Sequence, residues 1–195
     1  MKKTFIYSVI VLFSLTKINA QRNMNEQIKP SQEELQRFLS NIPKGEEKDF
    51  GFTDREQFKK ASLGNPILMK SFNEKGEIIT ENRYRIPVIV RDKKVLFITT
   101  RLTEGNLEIV DMGGSILARE IGKYEASGIK VYNIMRLYNA NIDFVQINDT
   151  ENEKEAKYYP LSSAVQKLTD EKSSKEYYSA EDLRNIYKNT PKNNN

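Results

Sequence analysis

The chain has 195 residues, with 31 Lys and Arg against 27 Asp and Glu, and contains neither His nor Cys. The missing imidazole and thiol exclude a Ser-His-Asp triad, a Cys-His nucleophile, a disulfide framework and the usual His or Cys zinc sites. Carboxylate, Tyr, Lys and Ser-Lys chemistry remain, and the composition calls for no cofactor.

Lys2 and Lys3 open the chain as a short basic region, and the stretch from Phe5 to Leu15 is uncharged and mostly apolar. A helix of that length covers about 16 Å, half of a ~30 Å hydrocarbon core, so it suits a secretory signal better than a membrane anchor. Ile18-Asn19-Ala20 offers the small residue that a signal peptidase requires, which sets the expected cleavage between Ala20 and Gln21. With no cysteine to carry a lipid, the mature chain is expected to lack a stable membrane anchor and to be secreted or periplasmic. Removal of Lys2, Lys3 and Lys17 from the 31 basic residues leaves 28 against 27 acidic ones, a net charge of +1. Nucleic-acid binders need a basic excess, so that partner class loses its support.

Residues 21–30 are polar and read as a flexible leader, 31–188 as a single domain and 189–195 as a disordered tail. Ser31 followed by Glu34 is a capping box, and Leu35, Phe38, Leu39 and Ile42 recur at helical spacing until Pro43 and Gly45. Thr53 with Glu56 suggests a second box and a helix over Asp54–Leu63, stopped by Gly64. From Pro66 the pattern changes to strands: Ile67–Phe72, Glu77–Val90, Val95–Thr100 and Leu107–Val110. Asn73-Glu74-Lys75-Gly76, Arg91-Asp92-Lys93-Lys94 and Thr103-Glu104-Gly105-Asn106 are of hairpin length, so these strands should pair antiparallel in order. Pro87 lacks a donor and predicts an edge or a bulge.

After Gly113-Gly114 a helix over Ser115–Tyr124 presents Ile116, Leu117 and Ile121 for packing. Strands over Lys130–Tyr138, Ile142–Ile147 and Lys157–Leu161 follow. Ser163 with Gln166 and Ser179 with Asp182 mark two C-terminal helices. The expected fold is α+β, a single curved antiparallel sheet of about six to eight strands with helices packed on one face.

Met112-Gly113-Gly114-Ser115, at a strand-to-helix junction, could offer backbone N–H groups to an anion, but it lacks the spacing of a phosphate loop and reads first as a turn. Asp149, Glu151 and Glu153 alternate like calcium ligands, yet Lys154 and Pro160 stand where that loop needs Gly and Glu, so no metal is expected. The neighbours Glu33/Glu34, Glu46/Glu47 and Glu181/Asp182 lie adjacent rather than across a cleft and read as surface. Tyr158-Tyr159 and Tyr177-Tyr178 supply apolar area with a polar handle, and form a candidate binding surface beside the alternative of half-buried packing.

Phe50-Gly51-Phe52, Lys60-Ala61-Ser62-Leu63-Gly64-Asn65-Pro66-Ile67 and Arg85-Ile86-Pro87-Val88, in that order, resemble a pattern in uncharacterised exported bacterial proteins. The resemblance spans Phe50 to Ile121 and implies neither an activity nor site residues. Three functions therefore stand open. The first is a non-enzymatic binding module for an extracytoplasmic protein or other ligand. The second is a protease inhibitor or pro-segment-like domain. The third is a carboxylate- or Tyr-based hydrolase, which would need distant acids such as Asp111 and Glu125 to converge.

Overall fold

The computed structural model describes residues 28–150, 152–168 and 175–190. The expected signal, with Ala20 and Gln21, lies outside the described residues, as do residues 21–27 of the expected leader; Ile28, described, is buried and its carbonyl accepts from the Thr100 hydroxyl at 3.2 Å. Helix α1 spans Gln32–Ser40, and a 3-10 turn spans Arg55–Lys60. Strands β1 (Ser62–Leu63), β2 (Ile67–Phe72), β3 (Ile78–Val90), β4 (Lys93–Thr103) and β5 (Asn106–Gly113) follow. Helix α2 (Ser115–Ala126) precedes β6 (Asn133–Leu137), β7 (Ile142–Gln146) and β8 (Tyr158–Pro160), and the described chain ends with α3 (Ser162–Leu168) and α4 (Ala180–Asn189).

All eight strands share one open sheet in the order β5-β4-β3-β2-β6-β7-β8, with β1 alongside β3. The α+β class, the single sheet and the strand number agree with the sequence reading. Local hairpins explain most of the order. Arg91 and Asp92 turn β3 into β4 with φ of 49° and 63°, and Glu104 and Gly105 turn β4 into β5 with φ of 51° and 81°. Two-residue loops with both φ positive match the twist of the strands they join.

Two details of the sheet differ from expectation. It is mixed, because β2 pairs with β6 in parallel: Leu68, Met69 and Lys70 lie against Asn133, Ile134 and Met135. The chain reaches β6 through α2, a crossover long enough to return in the same direction. Helices also cover both faces. On β4, Leu96 and Ile98 pack with Leu35 and Leu39 of α1, whereas Phe97 packs with Leu117 and Ile121 of α2. Neighbouring strand residues point to opposite faces, so α1 and α2 lie on opposite sides. On β7, Phe144 meets Leu183 of α4 while Val145 faces the α2 side. Apolar residues at consecutive positions of β4 and β7 require a layer on each face.

The expected helix over Asp54–Leu63 shrinks to one 3-10 segment. Its cap moves by one residue, with the Asp54 side chain accepting from Gln57 N–H and the Gln57 side chain accepting from Thr53 N–H at 2.8 Å. Ser62 and Leu63 instead pair with Ile89 and Val88 of β3. Gly64 then donates to the Pro87 carbonyl at 2.8 Å, and a Cβ on Gly64 would lie 2.7 Å from the Pro87 ring. The glycine therefore serves close strand approach rather than helix termination. Pro87 tolerates an interior strand because its missing donor faces this crossing, where the neighbour of β3 changes from β1 to β2.

Candidate functional site

The α2 face of the sheet is polar where the helix stops covering it. Ile134 and Val145 pack under α2, and two residues farther along or back on the same strands come Arg136 and Asp143. Arg85 shares this face through its pairing with Ile67 and Thr99. One terminal nitrogen of Arg136 donates to both Asp143 oxygens, at 2.8 and 3.0 Å. Its other terminal nitrogen donates to Asn141, and its guanidinium lies over the Tyr138 ring at 5.5 Å. Arg136 is thus fixed by its neighbours.

Arg85 is not. Its side chain is 12% exposed, its ion pair with Asp143 is 3.9 Å long, and it makes no hydrogen bond to a described residue. Burial pulls its pKa below the ordinary arginine value. Asp143 opposes that shift, Arg136 adds to it, and Tyr138 and Asp111 oppose it. A guanidinium titrates so high that Arg85 remains charged, with five N–H donors. Such a group in a low-dielectric setting seeks a strong acceptor.

The acceptor side is open. Arg85, Arg136 and Asp143 form one wall of a cavity of about 740 Å³ lined also by Gly114, Ile116 and Leu117 of the α2 start and Ser162, Val165 and Gln166 of α3. Glu120, Ser162 and Val165 are shared with a second cavity of about 510 Å³ that continues along α2 past Lys123, Tyr124, Ser127 and Ile129 to Pro160 and Leu161. Together they form one groove between α2 and α3, charged at one end and mostly apolar at the other. Ile116 is 63% and Val165 45% exposed at its rim. The sequence assigned Ile116 to packing, but Leu117, Ala118 and Ile121 take the buried stripe of α2 and turn Ile116 outward.

The chain builds the groove with few contacts. Since β8 reaches β7 only at residues 144–146, Asp143 is left beyond the end of that ladder. Its carbonyl accepts from Leu161 N–H at 3.1 Å, and its N–H donates to the Ser163 hydroxyl at 3.0 Å. Ser163 is therefore an anchor of α3 on the sheet, not the helix cap its spacing with Gln166 suggested. Ser162 N–H donates to the Glu120 carboxylate at 3.1 Å, joining α3 to α2. Burial raises the pKa of Glu120 against the lowering effects of Ser162 N–H and Lys123, and Asp143 raises it further. The first turn of α2 begins at Gly114, in left-handed conformation, with no side-chain cap on its N–H groups.

The sequence-designated residues fall elsewhere. Tyr158 and Tyr178 are buried and bridge each other's backbones at 3.0 and 2.8 Å, so they belong to the core and not to a surface. Tyr159 is half-buried against the α2-side core, its ring 6.4 Å from that of Tyr124, and Tyr177 is exposed; the two stack at 6.0 Å, with the Lys157 ammonium 4.8 Å over Tyr177. Alternation along β8 causes the split, sending Tyr158 into the α4-side core and Tyr159 toward the α2 side. Asp111 lies near the start of α2, whereas Glu125 pairs with Lys94 near its end. About 15 Å of helix separates the two ends, so these acids do not share a pocket. Glu34 and Asp182 complete capping boxes, while Glu47 and Glu181 pair with Arg55 and Arg184 at 3.0 and 2.6 Å. Glu153 pairs with Arg184, and Glu151 lies outside the described residues. Among the described residues no group of three His, Cys, Asp or Glu is placed to hold a metal, and no helix is long and apolar enough to cross a membrane.

Arg85, Arg136 and Asp143 were legible only as an anomaly. Each interrupts an apolar strand, in Tyr84-Arg85-Ile86, Met135-Arg136-Leu137 and Ile142-Asp143-Phe144. A charge inside a strand covered on both faces needs a partner or a ligand. No family model matches the chain, and neither a curated protein nor a solved structure matches it significantly.

Proposed function

We propose that this chain is a non-enzymatic binding module whose α2–α3 groove holds a ligand with an anionic end and an apolar body. The observation that carries this reading is Arg85, largely buried, charged and with no side-chain hydrogen bond to a described residue, at the charged end of a groove whose other end is mostly apolar. A mostly apolar cleft with a few convergent polar groups is the usual form of a small ligand site. The ligand would be extracytoplasmic if residues 1–20 direct export, and N-terminal sequencing of the secreted protein should then begin at Gln21.

The test is nuclear magnetic resonance titration with aryl-alkyl carboxylates and their neutral amides. Carboxylates should shift the amides of residues 114–124 and 161–166 and lose the effect in Arg85→Met. Shifts scattered over the surface, or equal for the amides, reject the groove as the site.

A second reading, inhibition of a protease by strand addition, has one observation in its favour. Strand β5 is a sheet edge of eight residues without Pro or Lys, guarded only by Glu108, Asp111 and one irregularity in its ladder with β4. Inhibition of at least one protease in a panel, abolished by Val110→Pro, is the expected result. No inhibition across serine, cysteine and metalloproteases removes it.

A further inference from the structure

We propose that the groove receives the C-terminal end of an extended peptide, its free carboxylate on Arg85 and its last apolar side chains along the far lobe. This rests on the groove being the binding site.

Three features choose this occupant. The charged end suits a carboxylate, because Arg85 supplies unused planar donors and Arg136 supplies a second positive charge. The uncapped first-turn N–H groups of α2 border the same cavity beside Gly114, and the positive end of a twelve-residue helix favours an anion there. The middle of the groove is polar. Glu120 stands in the wall common to both lobes and, while accepting from Ser162 N–H, retains lone pairs on its carboxyl oxygens. An alkyl chain would leave that group facing hydrocarbon, whereas a peptide N–H would donate to it. The far lobe, with Tyr124, Ile129, Pro160 and Leu161, then takes side chains.

Length agrees as well. From Ile116 to Tyr124 the helix rises about 12 Å. Three to four extended residues cover that distance at roughly 3.3 Å each. Charge complementarity is local, since Asp143 is the one described carboxylate paired with both arginines, and Asp111 acts on Arg85 only as the weakest of its charge interactions.

The experiment uses the full chain after signal removal and two random hexapeptide libraries, one with free C-termini and one amidated, followed by calorimetry on individual selected peptides. Enrichment of free-acid peptides with apolar final residues, at least tenfold tighter than their amides, is the expected result. Ile116→Asp, at an exposed position beside Arg85, should weaken the selected peptides at least tenfold without changing the melting temperature. Equal binding of acid and amide overturns the carboxylate assignment. Tighter binding of decanoate than of any peptide overturns the peptide while leaving the groove intact. Absence of any enriched peptide also overturns it, and the aryl-alkyl carboxylate titration then tells whether the groove itself has failed.

Discussion

Gly51 illustrates how much one hydrogen atom decides. It adopts φ of +85°, and a Cβ would stand 2.3 Å from the Val95 carbonyl oxygen. Neither that oxygen nor the Ser115 Cβ, 3.2 Å away, is a flexible side-chain tip, so Gly51→Ala should destabilise the fold by at least about 2 kcal/mol. Urea denaturation measures this, and a loss below about 0.5 kcal/mol would mean that the backbone there yields easily. Glu120 allows a prediction about pH. Burial sets its folded pKa above the unfolded one, so below about pH 4 both states are protonated and the group is neutral toward stability. As pH rises the unfolded carboxyl ionises first, and stability is lost until the folded one follows. Glu120→Gln removes that loss, so its stability relative to the wild type should climb with pH above about 4 and level off once the folded carboxyl has ionised. A pH-independent difference would contradict the raised value.

At the scale of elements, the capping boxes behave as their spacing demanded. Ser31 and Ser179 each accept from the third helical N–H and are reached in return by Glu34 and Asp182. Partial burial opposes it, but Lys175 and Ser179 hold the Asp182 carboxyl below its usual range. Ser179→Ala should cost about 1 kcal/mol, read from thermal melts. The hairpin turns were equally legible, since Arg91-Asp92 and Glu104-Gly105 are local events. The 3-10 segment was not, because Ser62-Leu63 is drawn off by β3, more than twenty residues away in sequence. Local propensity lost to a distant ladder there. The same holds for the groove. Its rim residues Ile116 and Val165 look like core in the sequence, and only the placement of α3 at the end of β8 leaves them outside.

For the whole molecule, Arg85 sets stability against use. A buried ion pair replaced by an apolar side chain of similar length is often neutral or stabilising, and Asp143 retains Arg136. Arg85→Met should therefore melt at or above the wild-type temperature while losing carboxylate binding. A fall of several degrees would assign Arg85 to the fold instead. This trade is common where a site carries groups the core would be better without.

The parallel seam of β2 and β6 has a kinetic meaning. The meander from β2 to β5 closes by short turns, whereas β6 must return across more than sixty residues to find Lys70 and its neighbours. Loop closure of that span is slow and entropically costly, so the first half should acquire its amide protection earlier during refolding. Gln146, fully buried, accepts from Lys70 and Asn133 and donates to the Asn148 and Thr150 carbonyls, so the second half locks only when this late stitch is made. Any ligand of the groove would then report on the final step of assembly, because one wall does not exist until the two halves have met.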